Sequence, residues 1–189
     1  MIGSCAKRID AQILTYRGKK MGWHVIRVDC GKEEEALFFM DKILNLKELG
    51  RPFIPKVVRK RKLKDGWHDR YLPFVPGYLF FETDEPTKLF FELKKVPKRT
   101  TILRIDDDML AVSPDEEAFI RSFFGSEDTV EVSVIHKEGD KVVVDSGPLA
   151  GREAIIKKIW AHKRTALIST DMFGRTMELK VGIDFLSRE

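Results

Sequence analysis

The chain has 189 residues, enough for one sizeable hydrophobic core or two small ones. Hydrophobic residues make up 43% and charged residues 34%, which is typical of a soluble globular protein with a heavily charged surface. The net charge of +4 is compatible with an acidic partner such as a nucleic acid but does not require one. Cys5 and Cys30 form no CxxC pair, and no apolar run reaches membrane-spanning length. These features argue against a disulfide framework and a membrane span and favour a reducing cytoplasm.

Residues 1–20 are predicted to be an N-terminal extension rather than a secretory signal. Charged side chains interrupt the apolar run that such a signal needs, among them Lys7, Arg8 and Arg17. The segment is mildly basic. It is either loosely ordered or a functional arm, and the sequence leaves both interpretations open.

The pattern of residues 21–126 predicts an α+β domain. The run WHVIRVDC, which begins at Trp23, alternates apolar and polar residues as a half-buried strand does. Apolar residues then recur at three- and four-residue spacing from Ala36 to Leu44, which predicts a helix. Two further β-type runs, FIPKVVRKRKLK and GYLFFET, predict a hairpin with a long polar tip.

The rest of this domain completes a ferredoxin-like order. A short helix is predicted from Pro86, TTILRID is a fourth strand, and Ser113 with Glu116 forms the capping box of a third helix. The order β-α-β-β-α-β, followed by a helix, is that of a split antiparallel sheet with its helices on one face. We expect the other face to be open to solvent or to a partner.

The second part of the chain has a different character. The segment 105–140 is predominantly acidic, and we place a linker at 127–136. Residues 137–189 contain several short β-type runs, separated by turn signals such as Gly147-Pro148 and Phe173-Gly174. Such spacing predicts a small β-barrel.

Two groups of residues resemble the NusG family of transcription elongation and antitermination factors. The first is WHVIRV together with FVPGYLFF, Phe74 to Phe81, and the second is GDKVVVDSGPLAG together with DMFGRTMEL. They occur in the family's order, and the resemblance extends over residues 22–189. It implies a ferredoxin-like NGN domain at 21–126, followed by a KOW domain, an SH3-like β-barrel, at 137–189.

The resemblance also implies a partner for the first domain. In this family an exposed aromatic face of the NGN sheet grips the coiled-coil clamp helices of RNA polymerase. The positions that match the family's motifs, to which we assign polymerase binding, are Trp23, Val75, Pro76, Gly77 and Tyr78. For Tyr78, contact with polymerase and support of the core are both open.

Departures from the family pattern indicate a specialised paralogue. Ala154 stands where the family usually has glycine, and PKRTTILRID replaces a Gly-Phe-Val/Ile-Gly element of housekeeping members. The hairpin stretch is unusually basic, with six Lys or Arg among the nine residues 56–64. These features resemble the LoaP type, antiterminators of long operons whose KOW domain binds an RNA hairpin.

The basic residues of the second domain predict an RNA-binding surface. Lysines neutralise phosphates, arginines can pair with a guanine edge, and a Trp or His can stack on an unpaired base. The candidate residues are Arg152, Lys157, Lys158, Trp160, His162, Lys163, Arg164 and Arg175. The alternative is a solvated turn with Trp160 packed in the barrel.

Two other places could meet a partner. Met172 and Phe173 lie at a turn of the predicted barrel, where the resemblance implies contact with a small ribosomal protein or a termination factor. The basic strand 56–64 and the hairpin tip, with Trp67, His68 and Arg70, could touch nucleic acid or polymerase. Alternatively, the strand is a solvated edge and Trp67 folds back onto the sheet.

No set of residues indicates catalysis. The four His have no metal-ligand spacing, and P-loop, GxSxG and HExxH motifs are absent from the sequence. The triplet Asp106–Asp108 could hold a divalent ion, but a solvated loop is the simpler interpretation. We therefore expect no enzyme activity, no metal and no cofactor, and a monomer that acts by binding.

Three functions remain in competition. The first is a transcription regulator that binds RNA polymerase through its NGN domain, promotes processive antitermination, and binds a nascent RNA hairpin or a protein through its KOW domain. The second is a general NusG-type factor whose KOW domain binds proteins only. The third is a free-standing, ribosome-associated RNA-binding protein. An exposed aromatic face around Tyr78 separates the first from the third, because only a polymerase regulator needs it.

Overall fold

The computed structural model describes most of the chain. The described residues are 15–16, 19–20, 22–97, 100–102, 104–105, 108–109, 111–125, 127–139 and 141–185. Of the predicted extension they include two paired strands, β1 (Thr15–Tyr16) and β2 (Lys19–Lys20). The rest of residues 1–20 lies outside the described residues, as do Asp106 and Asp107. Within the described part, no helix has the length and apolar character needed to cross a membrane.

The elements fall into two groups, which we call the first domain (β3 to α4) and the barrel (β12 to β16). The elements of the first domain are β3 (Gly22–Arg27), α1 (Glu33–Ile43), α2 (Leu46–Leu49), β4 (Arg51–Phe53), β5 (Lys56–Leu63), β6 (Gly66–Pro73), β7 (Tyr78–Thr83), α3 (Pro86–Leu93), β8 (Thr101–Ile102), β9 (Arg104–Ile105), β10 (Asp108–Met109) and α4 (Pro114–Arg121). Those that follow are β11 (Thr129–Val130), β12 (Ser133–Glu138), β13 (Lys141–Ser146), β14 (Ile156–Trp160), β15 (Thr165–Met172) and β16 (Arg175–Phe185), with 3-10 helices at Glu153–Ile155 and Ala161–Lys163.

The first domain is built on a four-stranded antiparallel sheet in the order β4-β7-β3-β8. This is the ferredoxin-like order predicted from the sequence. Helices α1 and α3 cover one face, to which Leu79 and Phe81 contribute. The alternating residues of the same strands, among them Trp23, Val25 and Phe80, are buried on the other face. The sheet therefore separates two sets of buried apolar side chains.

The third helix, α4, begins at the predicted capping box. Ser113 Oγ accepts a hydrogen bond from Glu116 N at 3.2 Å, and Glu116 Oε2 accepts one from Ser113 N at 3.0 Å. Both bonds satisfy backbone donors that the first turn of a helix leaves unpaired. Ile120, near the other end of the helix, packs into the cluster that contains Trp23. The helix thus covers part of the second sheet face.

Strands β5 and β6 form a long hairpin that belongs to a separate three-stranded sheet. The predicted hairpin between FIPKVVRKRKLK and GYLFFET is therefore wrong, because β5 pairs with β6, which contains the predicted polar tip, whereas β7 pairs with β4 and β3. Their pairing runs from Lys56 opposite Pro73 to Leu63 opposite Gly66 at the tip. Strand β11 pairs in parallel with the start of β5. The chain therefore passes along the hairpin just before it enters the barrel.

The barrel is a five-stranded sheet in the order β13-β12-β16-β15-β14. The long strand β16 holds it together, because β16 pairs with β15 on one side and with β12 on the other. Gly147 fits a crowded turn after β13: its φ is 93°, and a Cβ there would lie 2.7 Å from Ser133 Cα. The Gly-Pro turn signal in the sequence is thus explained by geometry.

The barrel packs directly onto the first domain. The buried cluster on the second sheet face continues from Phe80 into the barrel through Phe173, with ring centroids 5.7 Å apart. Strand β16 also lies against β5, so closely that a Cβ on Gly182 would be 2.3 Å from Val58 O. The expectation of an open sheet face is therefore wrong for this structure, since α4 and the barrel cover it.

We expect Gly182→Ala to loosen the packing of β16 on β5. The backbone carbonyl of Val58 cannot move away without disturbing the hairpin, so the substitution should cost roughly 1–3 kcal/mol of unfolding free energy. Urea unfolding of the full chain measures the loss. Gly22→Ala is the matched control, because a Cβ at Gly22 would meet nothing within 4 Å. Equal stability of the two variants would contradict the close approach.

Candidate functional site

The motif around Pro76-Gly77 forms a tight turn that leads into β7. Tyr78 N donates to Val75 O at 3.2 Å, and Gly77 has a φ of 83°. Pro at the second position and a glycine of positive φ at the third are the features of a type II turn. The buried carboxylate of Glu33 accepts a hydrogen bond from Gly77 N at 2.7 Å and fixes the turn. Of the three residues assigned to polymerase binding in this turn, Val75 and Gly77 are buried and Pro76 is exposed.

Trp23 does not reach the surface. It is fully buried, with the rings of Phe53 and Phe80 packed edge-on at centroid distances of 5.1 and 5.5 Å. The Arg121 guanidinium lies 4.1 Å from its ring centroid and is paired with the buried Glu82 at 3.3 Å. These contacts all come from the first domain. We therefore correct the role assigned to Trp23: it supports the sheet and is not a free contact residue.

Tyr78 and Phe80 meet the turn between β15 and β16, which we call the aromatic turn (Met172–Arg175). The Phe173 ring lies 6.4 Å from that of Tyr78 and 5.7 Å from that of Phe80. Arg175 donates from Nη2 to the Tyr78 hydroxyl, and its guanidinium lies 5.6 Å from the Tyr78 ring centroid. The aromatic face expected around Tyr78 does exist, but the chain's own barrel occupies it.

Glu116 connects the capping box of α4 to the aromatic turn. While Oε2 binds Ser113, Oε1 accepts a hydrogen bond from Phe173 N at 2.8 Å. Phe173 has a φ of 57°, which costs energy for a residue other than glycine. The buried ring and the charged acceptor offset that cost. One carboxylate thus serves the helix start and the domain contact together.

The residues predicted to meet a ribosomal protein or termination factor are therefore already engaged. Phe173 is 7% exposed and Met172 is 1% exposed. Met172 belongs to the shared core, so it is not available to a partner in this arrangement. Phe173 is a contact residue, as its place at a turn indicated, but the surface it contacts is the first domain.

The opposite end of β15 carries the basic residues, and we define the basic end as Lys157, Lys158, Trp160, His162, Lys163, Arg164 and Lys180. Lys158 Nζ and Lys180 Nζ lie 5.3 and 5.9 Å from the Trp160 ring centroid. Both lysines are opposite Leu167 in the sheet register, so they lie on one outer face of the barrel. Trp160 is half-buried between them.

Exposure distinguishes most basic side chains of this end from Arg164. Lys157, Lys158, His162 and Lys163 are exposed. Arg164 is half-buried: it forms an ion pair with Asp184 at 2.6 Å, and its guanidinium lies 4.5 Å from the Trp67 ring centroid. The tip of the β5–β6 hairpin therefore lies beside the basic end. Trp67 folds back, as one alternative held, but onto the barrel rather than the sheet of the first domain.

Arg152 and Arg175, predicted to extend the basic surface, lie elsewhere. Strand β15 spans roughly 25 Å, and Arg175 lies at its far end from the basic residues. The guanidinium of Arg152 lies 4.7 Å from the Phe123 ring centroid and donates to Ser122 Oγ at 2.8 Å. We therefore correct both assignments, because these arginines bind the first domain.

Three residues that sequence reasoning missed matter here. The sequence predicts only the capping role of Glu116 and gives no local signal for a functional role of Arg121 or Lys180. Lys180 joins Lys158 because β14, β15 and β16 pair in one particular register, and the sequence carries no local signal of that register. No group of three His, Cys, Asp or Glu among the described side chains could hold a metal ion.

Comparisons with known proteins define the class to which this architecture belongs. The family model described as "Transcription termination factor nusG" matches residues 21–121. The transcription termination/antitermination protein NusG of Thermus thermophilus is 24% identical over 176 residues, covering 86% of this chain and 95% of that protein. That of Staphylococcus carnosus is 25% identical over 175 residues, covering 88% and 94%.

A solved structure shares the fold. A chain described as "Domain interaction in Thermotoga maritima NusG" aligns with a TM-score of 0.54 and 20% identity, covering 86% of this chain and 93% of that one. The family model and these relatives are described as transcription termination or antitermination proteins. The chain belongs to the NusG family.

We expect Phe173→Asn to release the barrel from the first domain. Asparagine tolerates the positive φ of this position but removes the buried ring, at a cost of roughly 3 kcal/mol to the contact. Amide NMR spectra should then show changes at Tyr78 and Glu116 while both domains stay folded. Phe91→Asn is the control, because Phe91 is 58% exposed on α3. Unchanged Tyr78 and Glu116 signals would refute the role of Phe173.

Proposed function

We propose that this protein regulates RNA polymerase by binding it through the face around Tyr78 and Phe80, and that its barrel must leave this face first. Factors of the NusG family interact with RNA polymerase. The observation that carries the proposal is the masked aromatic face: Phe173 and Arg175 cover Tyr78, which is half-buried beneath them. An aromatic face held by a hydrogen-bonded, partly strained turn is a contact that a competing partner can replace.

The proposed mechanism involves no chemistry. The first domain binds the clamp helices of polymerase, bridges the DNA channel and disfavours the paused, opened state. It acts because it binds one polymerase state more tightly than the other. The outcome is processive antitermination. A general NusG-type factor would have no RNA specificity. The RNA specificity of the barrel therefore distinguishes a specialised antiterminator from a general factor.

We further propose that the basic end binds nascent RNA, as expected for a LoaP-type paralogue. Three observations support this: four exposed basic side chains, two lysines flanking Trp160, and the position of this end away from the aromatic turn. An RNA could therefore reach it while the domains are docked. The hairpin tip beside Arg164 adds Trp67 to the same surface. Once the first domain is bound to polymerase, the barrel is held close to the nascent RNA by the chain that joins the two domains. A modest affinity of the barrel for RNA is therefore sufficient.

The polymerase proposal predicts a gain from releasing the barrel. Phe173→Asn should bind RNA polymerase from the same organism at least about tenfold more tightly than the wild type, since the masking contact no longer competes. Adding Tyr78→Ala to Phe173→Asn should remove most of that gain. Biolayer interferometry with immobilised polymerase measures both, and Phe91→Ala in the Phe173→Asn background is the matched control.

Two outcomes would contradict the polymerase proposal. If the double variant with Tyr78→Ala and Phe173→Asn binds polymerase as tightly as Phe173→Asn alone, the face around Tyr78 is not the polymerase site. If NMR shows that the barrel of Phe173→Asn is released, and this variant still binds polymerase no more tightly than the wild type, masking by the barrel does not limit polymerase binding.

The RNA proposal predicts a salt-dependent loss. For the full chain and a hairpin RNA from a long-operon leader, Lys158→Ala with Lys163→Ala should weaken binding about tenfold at moderate salt. The double variant should also lower the slope of log affinity against log salt by roughly 1.5, because two phosphate contacts disappear. Lys42→Ala with Lys141→Ala removes the same charge elsewhere and should change neither quantity. Binding that is indifferent to the hairpin sequence would indicate a general NusG-type factor instead.

A further inference from the structure

A cleft of about 420 Å³ lies where the barrel meets the first domain. Its walls come from the loop after β3, from the base of the β5–β6 hairpin and from β16. Apolar side chains form much of the surface, among them Val57, Leu72, Phe74 and Leu179. A volume of this size and a mainly apolar lining are usual for a site that binds a small molecule. Tyr78, Phe80 and Trp160 do not line this cleft, whereas Lys180 is shared with the basic end and Pro76 with the turn that leads into β7.

One cation in the cleft wall has a buried hydrogen-bond donor without an acceptor. Arg59 lines the cleft, and its Nε is shielded from solvent and has no hydrogen-bond partner among the described residues. Burial, together with the nearby positive charge of Arg70, lowers the pKa of the Arg59 guanidinium. The guanidinium groups of Arg51 and Arg121, by contrast, are each paired with carboxylates. A buried guanidinium N–H without an acceptor is unfavourable, so this wall of the cleft favours an anion that places an oxygen at Arg59 Nε.

The other charged groups of the cleft are consistent with an anion. Lys180 lines the cleft and adds a second positive charge. Glu33 also lines it, but its carboxylate accepts the hydrogen bond from Gly77 N. Glu178 lines the cleft too, and its exposed carboxylate lies two residues from Lys180 on β16. The donor without an acceptor is Arg59 Nε, and a negatively charged oxygen forms the strongest hydrogen bond with it.

We propose that this cleft binds a small amphipathic anion, with its acidic group at Arg59 and its apolar body against Val57, Leu72 and Leu179. Leu179 and Lys180 belong to the barrel, whereas Val57, Arg59 and Leu72 belong to the first domain. The complete site exists only while the two domains are docked. A ligand that binds only one of two states stabilises that state, so the anion holds the barrel on the first domain. Its effect on polymerase binding rests on the proposed function, but the site itself does not.

The first test uses the full chain and the fluorescent probe 1-anilinonaphthalene-8-sulfonate, an aromatic anion. We expect saturable binding of one equivalent, weakened about tenfold or more by Arg59→Gln, because a charge-assisted hydrogen bond is lost. Arg61→Gln is the matched control, an exposed arginine of the same strand. The neutral analogue N-phenyl-1-naphthylamine should bind Arg59→Gln and wild type alike. Equal affinity of the sulfonate for Arg59→Gln and Arg61→Gln would overturn the proposal.

A second variant and two competitor anions complete the test of the cleft. If Arg59→Gln unfolds, Arg59→Lys retains the charge without the planar fork and should show an intermediate loss. Octanoate and octyl phosphate, added as competitors, should displace the probe and so identify whether a carboxylate or a phosphate is preferred. Failure of both to displace it would place the probe elsewhere and count against the cleft.

The effect of anion binding on docking of the barrel can be measured without polymerase. In Phe173→Asn, where we expect the barrel to be partly released, saturating octanoate or octyl phosphate should restore the docked amide signals of Tyr78 and Glu116. Adding Arg59→Gln should abolish that restoration. If ligand binds Phe173→Asn and leaves these signals unchanged, the anion does not hold the domains together. Failure of the polymerase experiment would leave this result untouched.

Discussion

The packing of the Phe173 ring against Tyr78 and Phe80 is the contact on which the arrangement of the two domains depends. It joins the barrel to the sheet face that α4 leaves uncovered, and it merges two small cores into one cluster. Burying one aromatic side chain stabilises by about 1.5–3 kcal/mol, and the hydrogen bond to Glu116 adds roughly 1.5–3 kcal/mol because its acceptor is charged. The strain of the positive φ of Phe173 reduces this stabilisation. The net contact at the aromatic turn is therefore modest, and it is supported by the packing of β16 on β5.

A contact of this strength suits a surface that has to be exposed when a partner arrives. Because the barrel is covalently tethered, its effective concentration at the face is high, and a modest contact keeps it docked. A partner that binds Tyr78 and Phe80 must supply only the difference between its own affinity and that of the tethered barrel. Tyr78 and Phe80 thus hold the barrel and are also the residues to which we assign polymerase binding. In this proposal the docked state and the polymerase-bound state exclude one another because both use these two side chains.

The sequence predicted the main elements of the first domain from local signals, but not how all of them pair. The strand at Trp23 and the Ser113 capping box appear where the pattern predicted them, although β3 is buried on both faces rather than one and β5 pairs with β6 rather than with β7. The burial of Trp23 could not be predicted, since it depends on Arg121, which is almost one hundred residues away in sequence. Likewise, Arg152 and Arg175 were grouped with the basic end by charge alone. Their true positions follow from which end of β15 each loop adjoins, and that is a property of the barrel topology.

The placement of the hairpin tip decides how RNA binding would influence docking. Arg164 belongs to the barrel and Trp67 to the first domain, and they touch only while the domains are docked. An RNA that contacts both the basic end and the hairpin tip gains from the docked state and opposes release of the barrel. An RNA base that stacks on Trp67 in place of Arg164 breaks that contact and favours release. By linkage, the sign of the coupling between RNA and polymerase is therefore determined by whether Arg164 keeps its place on Trp67 in the RNA complex.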